Sequence, residues 1–264
     1  MSVFLAELTS PEVGMAIEAG TVVVVPTGSV EQHGPHLPIE TDILLAATVA
    51  ERSVRRALEN GTPALVAPPI WTGYSPHHME FPGTLTLEAT TFLDVVSQVS
   101  KALWHHGFRK IFLLNGHGGN VNLLGAAVQR LRFEEEVRVA SASYWSFATQ
   151  AIQEWRASGP GGIDHACEME TSLMLAVRPD LVRVNKARDA SWFPHSEFLT
   201  GDLMIGAPVS VAWSFRELTE DGTLGDAAKG NAGHGEELLK AIVEAVGSFV
   251  EEFAEWDWER PLEI

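Results

Sequence analysis

Cysteine is almost absent from this chain. Cys167 stands alone among 264 residues, so no disulfide can form within it, and a reducing cytoplasm is the expected setting. Basic residues are also scarce. Lys and Arg total 18 against 35 Asp and Glu, a formal net charge of −17. That balance excludes a nucleic-acid surface, which needs clustered cations against phosphate. An acidic surface of this kind otherwise serves solubility. No apolar run approaches the roughly 20 residues of a membrane helix, so no membrane partner is expected. Residues 1–7 lack the basic start and long apolar centre of a secretory leader. What is present is a hydrophobic fraction of 45%, ordinary for a globular protein with a substantial core.

Hydrophobic periodicity alternates between two kinds of segment. Runs of β-branched and aliphatic residues predict strands over 21–25, 64–67, 111–114 and 137–142. Helices are predicted over 42–60, 87–106, 122–135, 166–177 and 235–252, with Gly61 and Pro179 as stops. Residues 71–83 and 157–162 are rich in Gly and Pro and read as loops. Residues 188–225 have weak periodicity and are expected to hold short strands and a loop. Strands alternating with helices predict an α/β fold with a mostly parallel sheet covered on both faces. No repeat or linker divides the chain, so one domain over 1–264 is expected.

Polar residues concentrate just past two of the strands, where open α/β sheets place their ligands. The first stretch is Glu31-Gln32-His33-Gly34-Pro35-His36, with Asp42 just beyond. Glu31 and His33 are two apart, so in extended backbone they point the same way. Asp42 at the start of a helix also caps it, a role that needs no metal. The second stretch is Asn115-Gly116-His117-Gly118-Gly119-Asn120. Its glycines suit a tight turn, but it lacks the Lys-Ser/Thr ending of a phosphate loop. A third cluster, His165-Ala166-Cys167-Glu168-Met169-Glu170, places His165 and Glu168 three apart, on one face if helical. Its acids also favour the positive start of a helix. Mixed oxygen and nitrogen donors without thiolate suit zinc, manganese or iron better than calcium. Glu31, His33, Asp42, His117 and Glu168 are too many ligands for one catalytic zinc. They fit two divalent ions about 3.5–4 Å apart, bridged by a carboxylate and a hydroxide that attacks a carbonyl. Glu170 points about 200° around the helix from Glu168 and is the alternative ligand.

Together the three clusters resemble the creatininase, or creatinine amidohydrolase, family. Its first motif matches residues 28–38 through Thr41-Asp42, its second 115–120, and its third 165–172 running on to Pro179-Asp180. The resemblance implies a three-layer α/β/α domain, a homohexamer, and two divalent ions per chain. It implies that Glu31 and His117 bind one ion, His33 the other, that Asp42 bridges them, and that His165 sits beside the substrate. Two positions depart from the creatinine-hydrolysing pattern. Gly118-Gly119 replace a Tyr-Glu pair whose Glu is a ligand, and Glu168 is the natural replacement. Gly161-Gly162 replace a Trp-Asp pair that closes over creatinine. The chain therefore looks closer to the branches of formamidopyrimidine deformylases and mycofactocin-precursor peptidases.

The expected reaction is hydrolysis of a non-standard amide: a cyclic amide, a formamide or a short peptide. His165 would pass a proton to the leaving nitrogen and Glu168 would complete the catalytic set. Two other classes stand beside it. One is a thiol hydrolase built on Cys167 and His165, which needs an accessible thiol of lowered pKa. The other is a metal-binding protein without turnover. Loop residues Trp71, Tyr74, His77, His78 and Trp192 are candidates for the pocket wall, and the exposed aromatics of Trp256-Asp257-Trp258 for a subunit contact.

Overall fold

Four parallel strands form the centre of the molecule. The computed structural model describes residues 2–192 and 194–258. Strands β1 (Val22–Thr27), β2 (Ala64–Val66), β3 (Lys110–Asn115) and β4 (Ala140–Ser143) lie in the order β2-β1-β3-β4. Every adjacent pair is parallel.

The all-apolar strand runs have a direct cause, since both sheet faces are covered. Side chains alternate with period two. Val22, Val24, Phe112 and Leu114 enter a core with α2 (Thr41–Glu59), α6 (Glu168–Val177) and α8 (Ala232–Glu255). Val23, Val25, Ile111 and Leu113 enter a second core with α3 (Ala89–His106) and α4 (Val121–Glu134). All eight are 0% exposed. Burying each contributes about 1.5–3 kcal/mol. The three-layer arrangement expected from the pattern is the one present.

Three helices lie outside the expected ones: α1 (Ser10–Glu18), α5 (Thr149–Trp155) and the four-residue α7 (Phe215–Leu218). Helix α1 is short, but it carries a start signal in Thr9 and Glu12, whose carboxylate accepts the Thr9 amide at 2.7 Å. Helix α5 turns only Ile152 fully into the core, too little for a visible period. In the weakly patterned region, β5 (Asp189–Ala190) pairs antiparallel with β6 (Gly225–Asp226), and α7 lies between them in sequence. The terminal aromatics are not a free patch. Trp256 and Trp258 pack on Phe253, and the Trp258 indole donates to the Arg109 carbonyl at 2.7 Å. Among the described residues, no helix is long and apolar enough to cross a membrane.

The ends of β1 and β3 lead directly into the two polar stretches. At the β3 end, a Cβ on Gly116 would lie 2.5 Å from the Asp42 carbonyl oxygen and 2.9 Å from Ala46 Cβ. Only glycine lets this strand end press against the first turn of α2 and so bring His117 to Asp42.

Candidate metal centre

Asp42 is 2% exposed in the first turn of α2. Its Oδ1 lies 3.0 Å from His33 Nε2, and its Oδ2 lies 3.0 Å from His117 Nδ1. Glu31 Oε1 lies 3.2 Å from His117 Nδ1, and Glu170 Oε1 lies 3.8 Å from His33 Nε2. Two buried donor sets therefore share Asp42: Glu31, Asp42 and His117 on one side, and His33, Asp42 and Glu170 on the other. Glu31 also comes together with His33 and His165, and with His77 and His78.

Glu168 is not part of this cluster. Its two oxygens accept the amides of Ala157 at 2.8 Å and Ser158 at 2.9 Å, so it secures the loop before His165. The expectation of Glu168 as ligand also placed His165 and Glu168 on one helix. Helix α6 starts only at Glu168, with Cys167 as its cap, and Ala166 turns the chain through φ +49°. His165 lies before that turn, bridged to Leu224. The carboxylate on the other side of α6, Glu170, faces His33 and also accepts the Cys167 amide at 3.3 Å. A Cβ at Gly119 would lie 2.4 Å from the Tyr74 carbonyl oxygen and 2.5 Å from His117 Nε2, so no carboxylate side chain can start there.

Backbone carbonyls fix which imidazole nitrogens face the cluster. A carbonyl only accepts, so His33 Nδ1 donates to Glu31 O (3.1 Å) and His117 Nε2 to Tyr74 O (3.1 Å). His33 Nε2 and His117 Nδ1 are left to face Asp42, as happens in metal-binding histidines whose other ring N–H is held by a carbonyl. His165 Nε2 donates to Gln32 O at 2.8 Å, leaving Nδ1 directed at Glu31 Oε1, 3.7 Å away. The Gln32 side chain accepts the Gly34 amide at 2.9 Å, so its Nε2 donates to His78 Nδ1 at 2.8 Å. His78 Nε2 then faces Glu31 Oε1 at 3.2 Å. These roles of Gln32 and His78 had no signal in the sequence beyond their residue types.

Opposing influences set the charges here. Burial pushes the His117 pKa down, but Glu31 and Asp42 push it up further, to about 10. Burial likewise opposes charge on His33, and Asp42 and Glu170 raise it well above its ordinary value. Glu31 is raised by burial but held well below the usual carboxylate range by His117 and His78. Burial, reinforced by His33 and His78, keeps the His165 pKa well below its ordinary value, so it is neutral near pH 7. His36 is also buried, but its Nε2 pairs with Thr171 Oγ1 at 2.9 Å and it takes no part in the cluster.

The donor set fits divalent metal. Both Glu31 oxygens and Asp42 Oδ2 are buried without a hydrogen bond, although nitrogens lie 3.2 Å from Glu31 Oε1 and 3.0 Å from Asp42 Oδ2. Such orphaned carboxylate oxygens are costly unless a cation meets them. Cys167 does not offer an alternative. It is fully buried, and burial followed by Glu170 pushes its thiol well above its ordinary pKa, the reverse of what a nucleophile needs.

A cavity of about 670 Å³ opens over the cluster, bordered by Glu31, Asp42, His117, His165 and Glu170. Tyr74, His77, His78 and Trp192 line it as anticipated, whereas Trp71 is 51% exposed and lies outside it. Asp164 also borders the cavity. Burial, then Glu170 and Asp202, raise its pKa to about 8.

A family model described as creatinine amidohydrolase matches residues 6–250. The chain belongs to the creatininase family. Among its relatives in that family, the creatinine amidohydrolase of Pseudomonas putida is 32% identical over 270 residues, covering 95% of this chain and 97% of the relative. The mycofactocin precursor peptide peptidase of Mycobacterium tuberculosis is 34% identical over 229 residues, covering 84% of this chain and 81% of the relative. A solved structure described as "Creatininase Mn" superposes with a TM-score of 0.78 at 31% identity, over 96% of this chain and 98% of that one. The family read from the three motifs is thus the correct one, and the creatininase fold accounts for the parallel sheet between helical layers.

Proposed function

We propose that this creatininase-family protein is a dinuclear-metal hydrolase of a non-standard carbon–nitrogen amide bond. The observation that carries the reading is Asp42, whose two oxygens each lie 3.0 Å from a different buried histidine. Glu31, His117 and Asp42 would hold one ion; His33, Asp42 and Glu170 would hold the other. Three protein donors per ion leave room for water and substrate. Nitrogen and oxygen donors without sulfur suit zinc, manganese or iron. When bound, a pair of such ions supplies an acidified water near neutral pH and polarises a carbonyl.

The chain's own residues supply position and proton transfer. His165 is neutral, with Nε2 committed to the Gln32 carbonyl and Nδ1 free. It can take a proton at Nδ1 and deliver it to the departing nitrogen. Gln32 orients His78 so that its Nε2 lies 3.2 Å from Glu31 Oε1. The relatives are named for a cyclic amide and for a precursor peptide. A cavity of about 670 Å³ is the size that takes a compact organic molecule or a short peptide end.

Chelation is expected to abolish hydrolysis across a screen of lactams, formamides and short peptides. Addition of Zn²⁺, Mn²⁺ or Fe²⁺ is expected to restore it. Full activity in a preparation that elemental analysis shows to be free of metal would end this reading.

A further inference from the structure

A second cavity of about 670 Å³ opens at the other end of the sheet. Lys110 begins β3 and Arg138 comes just before β4, whereas Glu31 and His117 follow the far ends of β1 and β3. The six residues of β3 span roughly 17–20 Å, and the two cavities share no lining residue. The sign of the charge is reversed here. Arg109, Lys110, Arg132 and Arg138 border the opening against Glu136 and Asp257, in a chain of formal charge −17.

Neutral groups hold two of these cations in place. Arg109 Nη1 donates to the Trp104 and Phe108 carbonyls at 2.7 and 3.1 Å, and Lys110 Nζ donates to the Trp256 carbonyl. Such bonds leave the formal charges uncompensated. Arg132 forms no hydrogen bond or ion pair with any described residue, so capping of helix-end carbonyls does not account for it. Indoles complete the wall. Arg109 Cζ lies 4.5 Å from the centroid of the Trp104 ring. Trp256 and Trp258 stand nearly perpendicular with centroids 5.9 Å apart, and the Trp258 N–H donates to the Arg109 carbonyl at 2.7 Å. Cations and rings are thus set against one another before any ligand arrives, which lowers the cost of binding. Guanidinium forks match phosphate oxygens, and indoles stack on flat heterocycles. A cavity of this volume takes a small organic molecule.

We propose that this cavity is a second binding site, for a phosphate monoester carried on a flat ring system, with a nucleoside monophosphate as the simplest representative. Arg109 and Arg132 hold the phosphate, and the neighbouring indoles flank the ring. The site lies apart from the metal donors and stands or falls independently of the hydrolase reading.

The test titrates AMP, inorganic phosphate and adenosine into the full chain by calorimetry. AMP is expected to bind once per chain and more tightly than either of its two parts. Arg109→Ala and Arg132→Ala are each expected to weaken AMP by about tenfold. Both side chains are exposed, so both variants should fold, which a thermal melt confirms. Arg132→Lys, which keeps the charge without the fork, should retain part of the affinity. Metal content is expected to be the same in all of these proteins. No AMP binding up to millimolar concentration would overturn the proposal. So would an AMP affinity unchanged in both alanine variants, which is the result expected if AMP binds at the metal centre instead. Inorganic phosphate or adenosine binding as tightly as AMP would overturn the joint requirement for phosphate and ring.

Discussion

Replacing Asp42 with alanine is expected to empty both metal positions and to lower turnover by at least about 10³-fold, a loss of ~4 kcal/mol in transition-state stabilisation. Each Asp42 oxygen faces a different histidine, so no other described side chain serves both donor sets. Loss of His117 removes a donor from one set only. His117→Ala should therefore take the metal content from about two towards one per chain, while Asp42→Ala takes it towards none. Asp42 is nearly fully buried, so Asp42→Asn serves as the volume-matched control. Circular dichroism reports the fold and elemental analysis the metal. Retention of two ions per chain in folded Asp42→Asn would remove the bridge.

The second large effect separates two glutamates on opposite sides of one helix. Glu170→Gln is expected to lower the metal content from about two towards one and to reduce turnover severely. Glu168→Gln is expected to keep both ions. Its cost falls on stability, because both Glu168 oxygens accept backbone amides and a glutamine offers only one acceptor oxygen. The loss should be about 1–3 kcal/mol, seen as a lower melting temperature with unchanged metal content. The reverse pattern, metal lost in Glu168→Gln and kept in Glu170→Gln, would reassign the second donor set.

The sequence pattern and the structure agree where local physics is decisive. The strands carry valine and leucine on both faces because helices cover both faces, so they read as continuous apolar runs. Glu31, His33, Asp42 and His117 were legible because they follow strand ends, and strand ends in a parallel sheet share one edge. The sequence pattern offers Glu170 only as the alternative to Glu168. Its orientation depends on the left-handed turn at Ala166, a non-glycine residue at φ +49° that no propensity announces. His78 and Gln32 come together across 46 positions of sequence, through a loop whose path has no periodicity.

Anomalous diffraction from crystals grown with Zn²⁺ tests the central claim most directly. Two peaks are expected, one on each side of the Asp42 carboxylate, with His117 and Glu31 on one and His33 and Glu170 on the other. A single peak, or density confined to Glu31, His77 and His78, would contradict the dinuclear site.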